Sequence, residues 1–269
     1  MPRKQITLVG DTFTHLTNGN FGYSVAGKIS KHIKWTSEPR DAIMYVDGWI
    51  PQAFNDNRDV RKFAWLLESN QIIPGLVDDI KSNLYRYLEQ FEMIFTHDQS
   101  LIVLDEKFKW VPAQGFWIKD PKIYNKSKLV SMISSNKKMC SGHIDRLVWV
   151  ETLRSRVDLY GRGFNEIASK EEGLCDYMFS VSIENGVYET YFTEKILDCF
   201  ATGTIPIYLG APDIGKHFNS DGIIFISDFD IIGEELYYSK MDAIKENLEI
   251  AMSMEVVEDF IYKNYLEAI

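Results

Sequence analysis

The feature that most constrains the fold is an alternation of short apolar runs with helical patterns in the second half of the chain. The apolar run YMFSVSIEN (177–185) is followed by the helical run TEKILDCFA (193–201) and a second apolar run, TIPIYLG (204–210). Strands buried on both faces read as continuous apolar runs, and parallel neighbours need a crossover between them. The order therefore predicts a parallel sheet covered by helices, with right-handed crossovers. KLVSMISS and VDLYG upstream and GIIFIS downstream read as further strands of this sheet.

The first half of the chain also reads as α/β. Five short runs rich in β-branched and aromatic residues predict strands: QITLVG, HIKWT, AIMYV, KFAWLL and EMIFTH. Between the last two, the segment from Pro74 to Phe91 places leucine or isoleucine at every fourth residue from 76 to 88. This spacing predicts one amphipathic helix with proline in its first turn.

The length and a change of composition predict two domains. The chain has 269 residues, more than the usual single domain, and residues 112–128 are rich in Pro, Gly, Asn and Lys, as linkers are. We expect an N-terminal domain over 1–120 and a C-terminal domain over 121–254. Residues 255–269 are helical in pattern and are expected to pack back on the N-terminal domain.

Composition excludes several classes of function. The net charge of −10 gives no general attraction to nucleic acid or to anionic lipid, and no run of 18 apolar residues is long enough for a membrane span. The three cysteines, Cys140, Cys175 and Cys199, are widely spaced and odd in number, which favours reduced structural thiols. We expect a folded cytoplasmic protein that binds neither nucleic acid nor a membrane.

The candidate chemistry lies at the start of the helical run 193–201. Thr193 stands at the N-cap position, with Glu194 and Lys195 in the first turn, where free amide groups and the helix dipole favour anions. A lysine for phosphate oxygens beside a carboxylate for sugar hydroxyls suits a nucleotide. Read alone, Thr-Glu-Lys is also compatible with ordinary capping and a solvated charge pair.

Two further positions belong to the same candidate site. Glu184 and Asn185 follow a buried strand, and ligands of open α/β sheets bind at the carboxyl ends of strands. Arg146 lies in the helical run GHIDRLVWVETLRS, from which its planar fork would reach a diphosphate. The alternatives are a solvated loop after the strand and a surface arginine.

Other motifs predict no metal site. The five histidines show neither HExxH nor a paired spacing of the kind that binds a metal. YGRGFN (160–165) has glycines but not the spacing of a phosphate loop, and it reads as a turn after a strand; in a nucleotide-binding domain, this turn would border the nucleotide.

Residues 179–229 resemble the donor-binding signature of the α1,3/α1,4-fucosyltransferases, glycosyltransferase family 10. The resemblance lies in an apolar strand ending in Glu-Asn, a loop with aromatics, Tyr-x-Thr-Glu-Lys, and then Gly-Thr-x-Pro-x-x-x-Gly-x-Pro. Weaker similarity extends outward to about residues 60–230, through SMISSNKKMCSGHIDRLVWVETL and KFAWLLES.

The resemblance implies an α/β fold of GT-B type, with two Rossmann-like domains whose parallel sheets face a central cleft. The N-terminal domain, 1–120, would be the acceptor side, and the C-terminal domain, 121–254, would bind the nucleotide sugar. It implies inverting transfer of fucose from GDP-fucose to a hydroxyl of a glycan acceptor, with no cofactor required. Carried over by position, Arg146 and Lys195 would bind the diphosphate and Glu194 the ribose, while Asn185 and Tyr191 would line the nucleotide pocket. These five would be the substrate-binding residues.

The same resemblance supplies two catalytic candidates. Glu184 falls on the glutamate that approaches the sugar, and Glu68 in WLLES on the acidic residue that the family offers as general base. Should Glu68 not serve, Glu184, Asp11 or Asp47 are the alternative proton acceptors. Because two cations would hold the leaving group, we expect turnover without a metal.

Two other functions stay open at this point. One is a glycosyltransferase of the same fold that uses another nucleotide sugar, and the other is a catalytically silent sugar-binding module. Acceptor choice is expected in the first 60 residues, which include HLTNGNFGYS.

Overall fold

The computed structural model describes residues 2–10, 29–112 and 115–268. HLTNGNFGYS and Asp11 lie outside the described residues. The chain divides into two compact units: unit 1 is Met1–Gln114 with Glu255–Ile269, and unit 2 is Gly115–Met254.

Unit 1 is built on a parallel sheet, which has six strands within the described residues. The strands are β1 (Lys4–Val9), β2 (Ile33–Thr36), β3 (Ala42–Val46), β4 (Arg61–Leu66), β5 (Met93–Thr96) and β6 (Phe108–Trp110), and the helices between them are α1 (Leu76–Ser82), α2 (Leu84–Gln90) and α3 (Gln99–Ile102). A 3-10 helix, Asp47–Asn55, follows β3. The spatial order β2-β1-β3-β4-β5-β6 reverses between β1 and β3, as in doubly wound folds.

Unit 2 repeats this plan. Its elements are β7 (Lys128–Ile133), α4 (Ser141–Leu153), β8 (Asp158–Tyr160), α5 (Glu171–Leu174), β9 (Tyr177–Ile183), α6 (Glu194–Thr202), β10 (Ile205–Leu209), β11 (Ile224–Phe225), α7 (Glu234–Ser239) and α8 (Met241–Ser253). The five strands pair in parallel in the order β11-β10-β9-β7-β8. The order reverses between β7 and β9, and the carboxyl ends of those two strands are therefore the place where such a fold binds its ligand.

Alternating side chains of each strand fill two apolar layers, one on each face of the sheet. In β4, Phe63 and Trp65 enter one cluster, while Ala64 and Leu66 enter the other. In unit 2, Phe179 and Val181 of β9 enter one cluster with Ile207 of β10, while Tyr208 of β10 enters the other. Both sheets are thus covered on both faces, as continuous apolar strands require.

The C-terminal segment belongs to unit 1. Helix α9 (Val257–Ile261) continues into a π-helix at Tyr262–Leu266, and Ile261 and Leu266 pack in the same cluster as Trp35. The indole Nε1 of Trp35 donates to Oε1 of Glu258 at 3.2 Å. Asp259 accepts the backbone N–H of Lys31 at 2.9 Å, so that this helix anchors the entry to β2.

The structure corrects the predicted helix over 74–91. It is two helices, α1 and α2, that meet at Asn83, whose φ of −120° and ψ of 33° lie outside the helical range. The Asn83 side chain donates to Oδ1 of Asp79 at 2.8 Å, a local bond that competes with the helical backbone. The apolar spacing continues across the break, which is why periodicity alone did not reveal it.

Other elements also differ from the sequence pattern. The predicted strand GIIFIS is a two-residue edge strand, β11, followed by a 3-10 helix at Ile226–Ile231. Strand β6 and helix α8 had no predicted counterpart. β6 has only three residues at the edge of its sheet, which is too short for a periodic signal.

Candidate functional site

A cavity of about 260 Å³ lies in unit 2 where the strand order of its sheet reverses. Ile133 and Ser134 at the end of β7 and Ser182 and Ile183 at the end of β9 line it. Basic and acidic side chains from the surrounding segments complete its wall: Arg146, Arg162, Lys170, Glu194, Lys195 and Asp198. A concave site that joins apolar strand ends to cations is suited to a phosphate-bearing ligand.

Helix α6 presents its first turn to this cavity. Thr193 is the N-cap, as the sequence predicts, and its hydroxyl accepts the backbone N–H of Lys195 at 3.4 Å. The helix ends at Gly203, whose φ of 68° is left-handed and suits glycine. Because the residues from Ile196 to Thr202 are all buried, the helix is held rigidly and its polar first turn is fixed in place.

Glu184 ties the end of β9 to the start of α6. Its side chain is fully buried, and its carboxylate accepts the Thr193 backbone N–H at 2.8 Å and the Thr193 hydroxyl at 2.7 Å. The ammonium of Lys195 donates to Oε2 of Glu184 at 3.1 Å. Glu184 therefore orients Lys195. The position of Glu184 after β9 in the sequence did not predict this role.

Arg146 approaches the same strand end from α4. It is 7% exposed, and its Nη1 donates to Oδ1 of Asn185 at 2.8 Å. Its Nε is buried and has no hydrogen-bond partner among the described residues. A Cβ on Gly142 would lie only 1.9 Å from the carbonyl oxygen of Asn185, so glycine is what lets the first turn of α4 approach β9 so closely.

Glu194 is an ionised carboxylate between two ammonium groups. Its Oε1 lies 3.5 Å from Nζ of Lys170 and 3.6 Å from Nζ of Lys195. Burial alone would raise the pKa of Glu194, but the attraction of Lys195 and Lys170 outweighs it and lowers the pKa to about 2. At neutral pH Glu194 thus remains a pure hydrogen-bond acceptor.

Comparison with known families decides the class of this unit. Residues 123–248 match the family model described as glycosyltransferase family 10 (fucosyltransferase) C-term. Residues 123–248 are a glycosyltransferase family 10 domain. The predicted resemblance is confirmed over this range.

Relatives agree with this assignment. The alpha-(1,3)-fucosyltransferase FucT of Helicobacter pylori is 36% identical over 93 residues, which are 35% of this chain and 19% of that relative. The match thus spans about a fifth of the length of that curated relative.

Solved structures show the fold. A crystal structure of an alpha1,3-fucosyltransferase has a TM-score of 0.52 and 16% identity, covering 99% of this chain and 88% of that one. A crystal structure with GDP-fucose has a TM-score of 0.52 and 17% identity, covering 93% and 81%. The predicted fold class, α/β of GT-B type, is confirmed by these likenesses and by the two parallel sheets.

The family 10 domain brings together most of the predicted binding residues. Arg146, Glu194 and Lys195 line the cavity. Arg146 donates a hydrogen bond to Asn185, and Lys195 donates one to Glu184. Tyr191 is 1% exposed and is not among the lining side chains, and its ring packs edge-on against Tyr188 with 6.1 Å between centroids. Tyr191 therefore supports the loop between β9 and α6.

Two residues of the family 10 domain were missed by sequence reasoning. Lys170 and Asp198 line the cavity, and Nζ of Lys170 donates to Oδ2 of Asp198 at 2.5 Å. Asp198 follows Glu194 by one helical turn, so helical spacing could have found it. Lys170 precedes the four-residue helix α5, and no local pattern connects it with α6.

The glycine-containing turn YGRGFN also borders the cavity. Gly161 has a φ of 109°, and a Cβ there would lie 2.0 Å from the carbonyl oxygen of Ser134. Gly161 and Arg162 both line the cavity. The turn after β8 is therefore a strand-end turn, as expected, and it also forms part of the cavity wall.

Glu68 lies in unit 1, at the carboxyl end of its own sheet. It follows β4 and is half-buried. Oδ1 of Asp47 accepts the backbone N–H of Leu67 at 2.7 Å and that of Glu68 at 3.1 Å, while Nε2 of His97 lies 3.2 Å from the carbonyl oxygen of Glu68. Asp47 is buried and has a left-handed φ of 51°, so it fixes the backbone at Glu68.

Among the residues that the structure describes, none of the helices combines the length and the apolar character that a membrane-spanning helix needs.

Proposed function

We propose that the protein transfers fucose from GDP-fucose to a hydroxyl of a glycan acceptor, with inversion at the anomeric carbon. The observation that carries the proposal is the family 10 cavity at the carboxyl ends of β7 and β9, where the cations Arg146 and Lys195 stand beside the ionised Glu194. The known alpha1,3-fucosyltransferase structure with GDP-fucose supports this donor, because this chain has a similar fold.

The diphosphate is assigned to the cations. Arg146 has a buried Nε without a hydrogen-bond partner among the described residues, and guanidinium groups bind phosphate oxygens through two parallel N–H donors. Lys195 adds a second cation, which Glu184 orients. Both would stabilise the negative charge that develops on GDP as it leaves.

The ribose is assigned to Glu194. An ionised carboxylate can accept hydrogen bonds from two neighbouring hydroxyls, and the pKa of about 2 keeps Glu194 ionised throughout the physiological range. Asn185 and Tyr191 are assigned to the nucleotide pocket as supports: Asn185 holds the Arg146 fork, and Tyr191 holds the loop that leads to Thr193.

The acceptor hydroxyl must lose a proton as it attacks the anomeric carbon. We assign this step to Glu68, a half-buried carboxylate whose backbone is fixed by Asp47 and His97. Inversion follows from direct displacement, with the acceptor oxygen and the departing GDP on opposite faces of the sugar. Glu184, the other catalytic candidate, acts in this scheme by orienting Lys195.

We further propose that transfer needs no metal or other cofactor, because two cations of the chain itself face the diphosphate. A cytoplasmic setting for glycan biosynthesis agrees with the three cysteines, all of which are free thiols.

Ligand binding and transfer test the proposal together. Isothermal titration with GDP, UDP, CDP and ADP should show binding of GDP at least about tenfold tighter than of the others, and GDP should raise the melting temperature by mass action. Incubation with GDP-fucose and a panel of oligosaccharides should yield a fucosylated product with inverted anomeric configuration by NMR. Preference for UDP, or GDP binding with neither transfer nor hydrolysis of GDP-fucose, would overturn the proposal.

A further inference from the structure

Four side chains along the first two turns of α6 and the start of α5 alternate in charge. Lys195 lies 3.6 Å from Oε1 of Glu194, the same oxygen lies 3.5 Å from Nζ of Lys170, and Lys170 lies 2.5 Å from Oδ2 of Asp198. We call this set the charge row. Glu194 is its central carboxylate and is shared by two lysines that come from different segments.

The far end of the charge row is firmly anchored. Asp198 is 1% exposed, and its Oδ1 accepts the backbone N–H of Trp117. The ammonium of Lys170 also lies 5.3 Å from the centre of the Trp117 ring, within the range of a cation–π contact. Lys170 is thus held by Asp198 and Trp117, while its side chain keeps 27% exposure toward the cavity that it lines.

The two lysines on Glu194 are not equivalent. Lys195 is adjacent to Glu194 in sequence and also binds Glu184 and the Thr193 hydroxyl. Lys170 approaches from the start of α5 and contacts, at 3.5 Å, the same Glu194 oxygen that Lys195 contacts at 3.6 Å. Without it, the Glu194 carboxylate would be free to rotate toward Lys195, the nearest remaining cation.

We propose that Lys170 is a positioning residue that holds the Glu194 carboxylate in place for the ribose hydroxyls of the nucleotide. The inference rests on the proposed function, since it takes a nucleoside diphosphate as the ligand. Asp198 and Trp117 serve as the anchor of Lys170. Lys170 itself acts through Glu194 and leaves the phosphates to Arg146 and Lys195.

Three ligands separate this role from its alternatives. GDP, 2′,3′-dideoxy-GDP and inorganic pyrophosphate all carry a diphosphate, but only GDP has ribose hydroxyls. In Lys170→Met, removal of one positive charge weakens all three ligands alike, whereas misplacement of Glu194 weakens GDP alone. By isothermal titration we expect the affinity for GDP to fall about tenfold more than that for the other two ligands.

Matched variants complete the experiment. Lys170→Arg keeps the cation and should hold GDP affinity within about threefold of the wild type. Lys245→Met removes an exposed lysine of α8 that pairs with Asp242, and it should change no affinity. Binding of pyrophosphate by each variant shows that its cavity is still folded. Should Lys170→Met fail to fold, Lys170→Gln removes the charge but keeps a hydrogen-bond donor to Asp198, and the same selective loss is expected.

The outcomes are distinct. Equal loss for all three ligands would assign Lys170 to the phosphates, and equal loss for GDP and the dideoxy analogue with normal pyrophosphate binding would assign it to the base; either result overturns the inference. Unchanged affinity for GDP overturns it as well. A wild-type protein that binds pyrophosphate but not GDP would overturn the proposed function itself, and this inference with it.

Discussion

The ammonium nitrogen of Lys195 lies 3.1 Å from Oε2 of Glu184, and the Glu184 side chain is fully buried. The contact joins the residue directly after β9 to the first turn of α6. The buried Glu184 carboxylate holds the Lys195 ammonium group in place, and Lys195 lines the cavity. The pair therefore fixes the position of a cavity-lining ammonium group against the end of β9.

Lys195→Ala should weaken both the binding of GDP and the stability of the fold. GDP affinity is expected to fall by about 2 to 4 kcal/mol, because a diphosphate would face one cation fewer in a partly desolvated cavity. Stability to urea should fall as well, because the Glu184 carboxylate is left buried without its cation. Titration calorimetry and urea unfolding measure the two effects, with Lys245→Ala as the control. Unchanged GDP affinity would show that the first turn of α6 only caps the helix and does not bind the diphosphate.

Arg146→Lys should lower GDP affinity by about tenfold although the charge is kept. Arg146 donates to Asn185, and lysine lacks the planar fork with which Arg146 would also bind a phosphate. Arg154→Lys is the matched control, because Arg154 is an exposed arginine at the end of the same helix and pairs with Glu151. Titration calorimetry measures the GDP affinity of both variants. Equal affinity in the two would contradict a bidentate role for Arg146.

The contribution of Glu194 to stability should depend on pH in a defined direction. Because burial is outweighed by Lys195 and Lys170, the pKa in the folded state is lowered from 4.5 to about 2. Ionised Glu194 therefore stabilises the fold above about pH 4.5, and this stabilisation is lost as the pH falls toward 2.

Urea unfolding of wild type and Glu194→Gln from pH 3 to 7 tests this dependence. The pH-dependent part of the difference in free energy of unfolding should reach about 3 kcal/mol near pH 6 and shrink as the pH falls below 4.5. Glu106→Gln, at an exposed position, should show no such trend. A difference that is the same at every pH would contradict the assignment.

If the proposed function holds, transfer from GDP-fucose should continue in EDTA at roughly half its rate or more, because Arg146 and Lys195 would supply the positive charge for the leaving diphosphate. Initial rates with and without the chelator give the answer. Complete loss that manganese restores would show that these cations are insufficient.

Local patterns in this chain predict elements well and long-range charge contacts poorly. Thr193, Glu194 and Lys195 are consecutive, so their cap and first turn could be read directly from the sequence, and the N-cap is confirmed. Lys170 meets Asp198 only because α5 packs on α6, and nothing near Lys170 in the sequence encodes that packing. The break at Asn83 was hidden for another reason: the apolar spacing on both sides of it is that of a continuous helix.

The last prediction concerns Glu68, on which the mechanism depends. Asp47 accepts the Glu68 backbone N–H at 3.1 Å, and His97 contacts its carbonyl at 3.2 Å, so the main chain is fixed independently of the side-chain carboxylate. Glu68→Gln should therefore leave the fold and GDP affinity nearly unchanged. Transfer should fall by roughly 10² to 10⁴, because an amide cannot accept the proton of the acceptor hydroxyl.

Measuring GDP affinity and the rate of transfer on one preparation of Glu68→Gln separates the possibilities, with Glu106→Gln as an exposed control. Joint loss of affinity and rate would indicate a structural role for the Glu68 side chain. A rate within about threefold of the wild type would remove Glu68 from the proton transfer, since loss of a general base costs far more. Asp47 would be a poor replacement, because its Oδ1 already accepts two backbone N–H groups. Glu184 is equally committed to Thr193 and Lys195, so a normal rate would direct the search to acidic residues outside the described part of the chain, Asp11 first.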